Sequence, residues 1–304
     1  MGMLDRIRRC NPGQPVWRIL FYEFWRLFCL TFLRVAYQFR VEHVERFPAS
    51  GPLLVVSNHQ SHLDPPAVGA IIPRHAFFIA RLTLFNSRLF GNHIRLLNAI
   101  PIDQSKGDLE AIRTVLGHLD KGRPIIVFAE GSRTHDGGLN EFKAGTALIL
   151  KRAKVPVLPA AIEGAFDAWP RTRKLPKIGG YVRVKYGEVI PYEELKNLGR
   201  GEAVLEHIKQ KVEDLRMELR AEIRAASNGR YPAPGPGDYR YNDPTAPPRE
   251  PDPWSTEKKA PPPAVLPSEA DPAASTPTGP VATPAAPTEP VAPPTRTSTT
   301  TPAN

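Results

Sequence analysis

Leu53–Val68 reads LLVVSNHQSHLDPPAV. Its first five residues form an apolar run closed by Ser57, too short for a helix and continuous rather than alternating. That is the pattern of a strand buried on both faces. A polar turn follows, and then two prolines, which a helix tolerates only in its first turn. Strand, polar turn and helix in that order form the repeating unit of an α/β layer fold. The turn holds His59, His62 and Asp64, a grouping with three readings. It could be a metal site, a base with its orienting carboxylate, or a polar turn in which Asp64 caps the next helix.

The same alternation continues outward. Short apolar runs predict strands at Leu53–Ser57, Ala76–Ala80, Ala99–Asp103, Pro124–Glu130, Val157–Glu163 and Tyr181–Tyr186. Between them the three-and-four spacing of apolar residues predicts helices at Pro65–Ile72, Asp108–Lys121 and Glu141–Ala153. A long amphipathic helix is expected over Glu202–Ala226, with Leu205, Ile208, Val212, Leu215, Leu219 and Ile223 on one face. The fold class is therefore α/β, a single largely parallel sheet with helices on both faces.

Two segments depart from this pattern. In Trp17–Arg40 the charges Arg18, Glu23, Arg26, Arg34 and Arg40 fall within an arc of about 160° on a helical wheel. Opposite them runs a stripe of Leu20, Phe21, Phe24, Phe28, Phe32, Val35 and Phe39. The longest uncharged run, Leu27–Leu33, is far short of the ~20 residues that span a bilayer. An amphipathic helix lying in a membrane interface is expected over residues 1–40, alongside packing on the protein's own core. At the other end, 21 of the 35 prolines lie in residues 228–304 among Ala, Thr, Ser and Gly. Such a stretch cannot bury enough apolar surface to offset chain entropy, so a disordered tail is expected from residue 228. The folded part is then 41–227.

That tail holds six basic and eight acidic residues, which leaves 34 basic and 23 acidic residues, a net charge of +11, on the remainder. An anionic partner is implied: nucleic acid, acidic lipid or a phosphorylated substrate. Nucleic acid is disfavoured because no RNP, helix-turn-helix or zinc-finger signature is present. Cys10 and Cys29 stand outside any CxxC or Cys/His cluster, consistent with a reducing cytoplasm, and no signal peptide is expected. His-x-x-His-x-Asp is not a usual metallohydrolase spacing and no second histidine cluster follows, so no metal or cofactor is expected. A histidine five residues before an aspartate suits a base whose second ring nitrogen the carboxylate holds.

Four stretches carry a family resemblance. NHQSHLD (Asn58–Asp64) resembles the first motif of the glycerolipid acyltransferases, N-H-x-S-x-x-D, and FAEGSRT (Phe128–Thr134) resembles their F-x-E-G-x-R-[ST] motif. FKAG (Phe142–Gly145) and VPVLPAAIEG (Val155–Gly164) are similar to two later elements, so the resemblance runs in order from about residue 40 to 190. It implies that His59 is the general base and Asp64 its orienting partner. It further implies that Glu130, Gly131, Ser132 and Arg133 bind the acceptor, with Lys143 or Arg81 helping to neutralise its phosphate. The implied reaction moves an acyl group from acyl-coenzyme A or acyl carrier protein to a lysophospholipid, with 1-acylglycerol 3-phosphate as the expected acceptor. The implied location is the cytoplasmic face of the cell membrane, bound to its anionic surface without spanning it. One position departs from the family: Gln104 stands where the second motif usually has arginine, and Lys106 lies two residues on. A glutamine gives no bidentate cationic contact to phosphate, so a different lysolipid or a glycolipid is the alternative acceptor. A non-catalytic lipid-binding protein is the alternative of another class.

Overall fold

Leu53–Ser57 is buried along its whole length at the centre of a seven-stranded sheet. A computed structural model describes residues 14–102, 108–199 and 201–254. Its strands are β1 (Arg40–Glu42), β2 (Leu53–Ser57), β3 (Phe77–Arg81), β4 (Ala99–Ile102), β5 (Pro124–Phe128), β6 (Val157–Glu163) and β7 (Arg183–Tyr186). Their spatial order is β1-β7-β6-β2-β5-β3-β4. Every pairing is parallel except β6 with β7. The expected strands are all present, with ends moved by one to two residues. β1 is an addition: three residues at the sheet edge, where few side chains are buried and no apolar run is needed.

Side chains of the central strands divide between two cores, because successive residues point to opposite faces. Leu53 and Val55 join Leu158, Ala160 and Ile162 on one face, while Leu54 and Val56 join Ile125 and Val127 on the other. The first face is covered by α1 (Val16–Ala36) and α2 (Asp64–Gly69), through Leu30, Leu33, Ala67 and Val68. Three helices cover the second face: α4 (Asp108–Leu119), α5 (Ala144–Ala153) and α8 (Gly201–Ala226), the last lying along β6 and β7. Shorter helices, α3 (Arg88–Leu96), α6 (Ala165–Ala168) and α7 (Tyr192–Asn197), fill connections in which no helix was expected. Gly164, between β6 and α6, has φ +82, and a Cβ there would lie 2.1 Å from the Tyr181 carbonyl oxygen, so only glycine fits.

Helix α1 is placed differently from the expectation. Three of its charges, Arg18, Glu23 and Arg26, face protein, while Arg34 is exposed. Arg18 donates to Arg95 O and to Asn98 Oδ1, and Arg26 donates to Ile72 O and pairs with Glu23, which also meets His75 Nε2 at 2.8 Å. The outward side is apolar: Trp17, Leu20, Phe24, Leu27, Phe28 and Val35 are each more than half exposed. Of the expected stripe, Phe39 is buried and Phe21 and Phe32 are half-buried. Among the described residues no helix is long and apolar enough to cross a membrane.

The expected tail boundary is also corrected. Residues 228–254 follow a defined path over the domain. Arg249 grips both Asp136 oxygens at 2.6 and 2.7 Å and donates to Leu139 O and Asn140 Oδ1. Asp238 lies between Arg220 and Arg224, and the Lys209 ammonium sits 3.7 Å from the Tyr241 ring centroid. Proline-rich composition hid these charged and aromatic anchors. Residues 255–304, Gln104 and Lys106 lie outside the described residues.

Candidate active site

Five parallel strands deliver their C-terminal ends to one edge of the sheet, where α/β folds place their working residues. Register fixes which loops meet. Ser57 of β2 pairs with Phe128 of β5 and with Ala160 of β6, so the loops after β2 and β5 leave the sheet side by side. Arg81 ends β3 beyond them and donates to Gly131 O at 3.3 Å.

The loop after β2 is held by its own side chains. Asn58 continues the ladder with its amide: Nδ2 donates to Ile162 O and Oδ1 accepts the Ile162 N–H, both at 2.9 Å. Asp64 turns back from the start of α2. Its Oδ2 accepts the amide N–H groups of Gln60 (2.5 Å) and Ser61 (2.7 Å) and lies 2.6 Å from His59 Nδ1. Asp64 is fully buried and lies within the first turn of α2 rather than at its cap, so its carboxylate serves the loop and the histidine. The His59 ring stacks on Phe128, centroids 4.3 Å apart, and its side chain keeps 19% of its surface exposed. With Nδ1–H donated to a carboxylate, the tautomer that results carries its lone pair on Nε2.

The loop after β5 answers it. Glu130 is buried, its two oxygens accepting the His59 N–H (2.6 Å) and the Asn140 N–H (3.0 Å), while the Thr134 N–H donates to His59 O. Glu130 therefore braces the two motif loops from within, in contrast to the acceptor contact expected of it. Burial pushes its carboxyl up to about 8, against the two amide donors, which favour the ionised form. The folded state thus keeps a proton that the unfolded chain releases above the ordinary value of 4.5. Stability contributed by neutral Glu130 is lost as pH rises from that value through about 8. In Glu130→Gln this slope disappears. Melting temperatures of wild type and variant recorded between about pH 5 and pH 8 are expected to converge at the alkaline end, and a constant offset would refute the assignment.

Gly131 turns the chain with φ +68, and a Cβ there would lie 3.1 Å from Lys143 Cγ. Ser132 and Arg133 follow, both half-buried, while Lys143 and Arg81 are exposed. Arg133 Nη1 is buried with no hydrogen-bond partner. Burial, then Arg171, pull the Arg133 pKa down, Asp64 opposes them, and Arg81 adds to the lowering. Arg171, itself paired with Asp252 at 4.0 Å, and Arg81 thus add to the positive field at Arg133, which an anion relieves. His62 stands at the rim, its ring 4.9 Å from Trp169; loss of surrounding water, then Arg133 and His59, push its pKa down to about 4. It is neutral at pH 7. Among the described residues no group of His, Cys, Asp and Glu is arranged to hold a metal ion.

Sequence reasoning missed two parts of this site. Arg171 lies in a loop without a motif, and only its neighbours reveal it. A buried ionic network also lies beneath the histidine loop: Gln60 Nε2 donates to Glu163, which meets Arg220 (2.8 Å) and Arg216 (3.4 Å) of α8. Arg216 also forks onto Glu213 at 2.6 and 2.9 Å. The signal was present as a charged stripe, Lys209, Glu213, Arg216 and Arg220, at the same three-and-four spacing as the apolar face.

Comparison with known proteins agrees with this geometry. The family model described as Acyltransferase matches residues 38–163, which contain both motif loops and the strands that carry them. A crystal structure of the 1-acyl-sn-glycerophosphate acyltransferase PlsC from Thermotoga maritima superposes with a TM-score of 0.58 at 26% identity, covering 71% of this chain and 88% of that one. Residues 38–163 are thus similar to the acyltransferase family. Two curated 1-acyl-sn-glycerol-3-phosphate acyltransferases are also similar to this chain. That of Streptococcus pneumoniae is 30% identical over 183 residues, 60% of this chain and 65% of the relative. That of Bacillus subtilis is 24% identical over 200 residues, 63% of this chain and 97% of the relative. The chain thus spans just under two thirds of one relative and nearly all of the other. The Acyltransferase match ends at Glu163, so α8 and the strap of residues 228–254 lie beyond it.

Proposed function

We propose that the protein transfers a fatty acyl group from an acyl thioester to the free hydroxyl of 1-acylglycerol 3-phosphate, giving phosphatidic acid. The observation that carries the reading is the 2.6 Å contact of His59 Nδ1 with the buried Asp64 carboxylate beside a cluster of arginines. His59 Nε2 removes the hydroxyl proton as the oxygen attacks the thioester carbonyl. The tetrahedral intermediate collapses, the C–S bond breaks, and the proton passes from His59 to the departing thiolate. Asp64 holds the tautomer and stabilises the imidazolium between these steps. Arg133, with Arg81, Arg171 and Lys143 around it, neutralises the acceptor phosphate. No acyl-enzyme is required, because both substrates bind together.

The test is acyl transfer by purified full-length protein, with acyl-coenzyme A and acyl carrier protein as alternative donors. Acceptors are 1-acylglycerol 3-phosphate, lysolipids with larger headgroups and a monoacylglycerol. Preference for 1-acylglycerol 3-phosphate is expected. Preference for a larger headgroup would assign Gln104 to a different acceptor, and preference for the monoacylglycerol would remove the phosphate from the account.

The outward face of α1 supports a membrane-surface location, in which the enzyme draws its acceptor from the bilayer. Phe24 and Phe28, 63% and 52% exposed, are too apolar to face water without a partner. Phe24→Ser with Phe28→Ser is expected to release the protein from vesicles in flotation and to cut activity on bilayer acceptor about tenfold or more, sparing a short-chain soluble acceptor. Undiminished vesicle binding would assign this face to another protein surface.

A further inference from the structure

A second cationic feature has none of the histidine loop's residues in its lining. Asp167, Arg173, Lys177, Arg230, Tyr231 and Ala233 line an open cleft of about 530 Å³ between the loop after α6 and the start of the C-terminal strap. Asp167 is already engaged, accepting the Ala233 N–H at 2.9 Å. None of Arg173, Lys177 and Arg230 makes an ion pair among the described residues. Three cations therefore face one cleft of headgroup size with a single carboxylate among them.

The loop that forms one wall has a second character. From Pro170 to Gly180 it carries Arg171, Arg173, Lys174 and Lys177 and no acidic residue. Between those cations Leu175 and Ile178 are 77% and 61% exposed. Arg171 pairs with Asp252 at 4.0 Å, while Arg173 and Lys177 make no ion pair among the described residues. Exposed aliphatics interleaved with such cations suit an interface that is apolar below and anionic at its surface. The loop is also joined to α1: the Gly179 N–H donates to Ala36 O at 2.8 Å and the Gln38 N–H to Gly180 O at 2.9 Å. Gly179 and Gly180 have φ +93 and +90, so this junction is built for glycine. Val35, at that end of α1, is 83% exposed, which makes the loop continuous with the outward apolar face.

We propose that this cleft binds the phosphate of an anionic phospholipid headgroup in the membrane surface, with Leu175 and Ile178 entering the lipid beside it. The site grips lipid as a surface and takes no part in acyl transfer. It shares with the proposed function only the presence of a bilayer. A free phosphate ester, such as part of a donor, presents the same chemistry, and an acidic carrier protein is the macromolecular rival.

Flotation of the full chain with two vesicle types separates these. One is pure phosphatidylcholine and the other phosphatidylcholine and phosphatidylglycerol in equal parts. Replacing Arg173, Lys177 and Arg230 together by Gln is expected to weaken binding to the anionic vesicles by about fivefold per cation, on the order of a hundredfold in all, and to flatten its salt dependence. Binding to phosphatidylcholine is expected to stay as in wild type, because the α1 face is untouched. Acyl transfer to a short-chain soluble acceptor is likewise expected to be unchanged, which shows the variant folded. Leu175→Ser with Ile178→Ser is expected to weaken binding to both vesicle types. Three results would overturn the proposal: unaltered affinity of the triple variant for anionic vesicles, displacement of wild type from them by millimolar inorganic phosphate at constant ionic strength, or a raised KM for a carrier-protein donor with vesicle binding intact. Loss of vesicle binding in Phe24→Ser/Phe28→Ser alone would bear on α1 and leave this cleft in place.

Discussion

His59→Ala and Asp64→Asn are each expected to lower acyl transfer by about 10²–10⁴-fold in a folded protein, and the double variant by little more than the worse single. The two side chains form one unit. Asp64 Oδ2 sits 2.6 Å from His59 Nδ1 and is itself aimed by the amides of Gln60 and Ser61. Asp64→Asn keeps much of the shape, but it removes the negative charge that stabilises the imidazolium and lets the ring rotate or change tautomer. Circular dichroism and melting curves establish folding; turnover on a soluble acceptor reads the chemistry. Independent, multiplicative losses would show that the pair acts separately. His62→Ala serves as the control. Its ring lies against Trp169 at the rim and is expected to cost less than about tenfold.

Arg216→Ala is expected to cost about 3–5 kcal/mol of stability, among the largest effects of any single change outside the hydrophobic core. Arg216 has no exposed surface, and its guanidinium is shared between Glu213 and Glu163. Removing it strands two buried carboxylates. Glu213 suffers most, since Arg216 is its one ion-pair partner among the described residues, whereas Glu163 keeps Arg220 at 2.8 Å and Gln60. A melting-temperature fall of about 10 °C or more follows for a domain of this size. Because Glu163 also holds Gln60, activity is expected to fall at temperatures where the variant is still folded. A loss below about 1 kcal/mol would mean that the network is solvated and contributes little.

What could be read in the sequence divides along physical lines. β2, β5 and β6 were legible because strands buried on both faces must be apolar throughout, and Leu53–Val56 is. β1 was not, since a three-residue edge strand needs no apolar run. Helix α3 was hidden by Arg88, Asn92, His93 and Arg95, although Ser87 caps it by accepting the Phe90 N–H. His59 and Asp64 were legible because the unit closes within five residues. Glu130 was read as an acceptor contact because nothing local shows that its oxygens are taken by amides 71 residues before it and 10 after it. The orientation of α1 was lost for the same reason: Arg18 and Arg26 bond to carbonyls 77 and 46 residues away. Register carries the rest. The pairing of Ser57 with Phe128 brings the two motif loops together, and no local pattern encodes it.

The central claim is tested most directly by mass spectrometry of lipids after full-length protein is mixed with 1-acylglycerol 3-phosphate and an isotopically labelled acyl thioester. The account predicts labelled phosphatidic acid in step with released thiol, with no label retained on the protein. Labelled free fatty acid with the acceptor unchanged, or label held covalently on the chain, would contradict it.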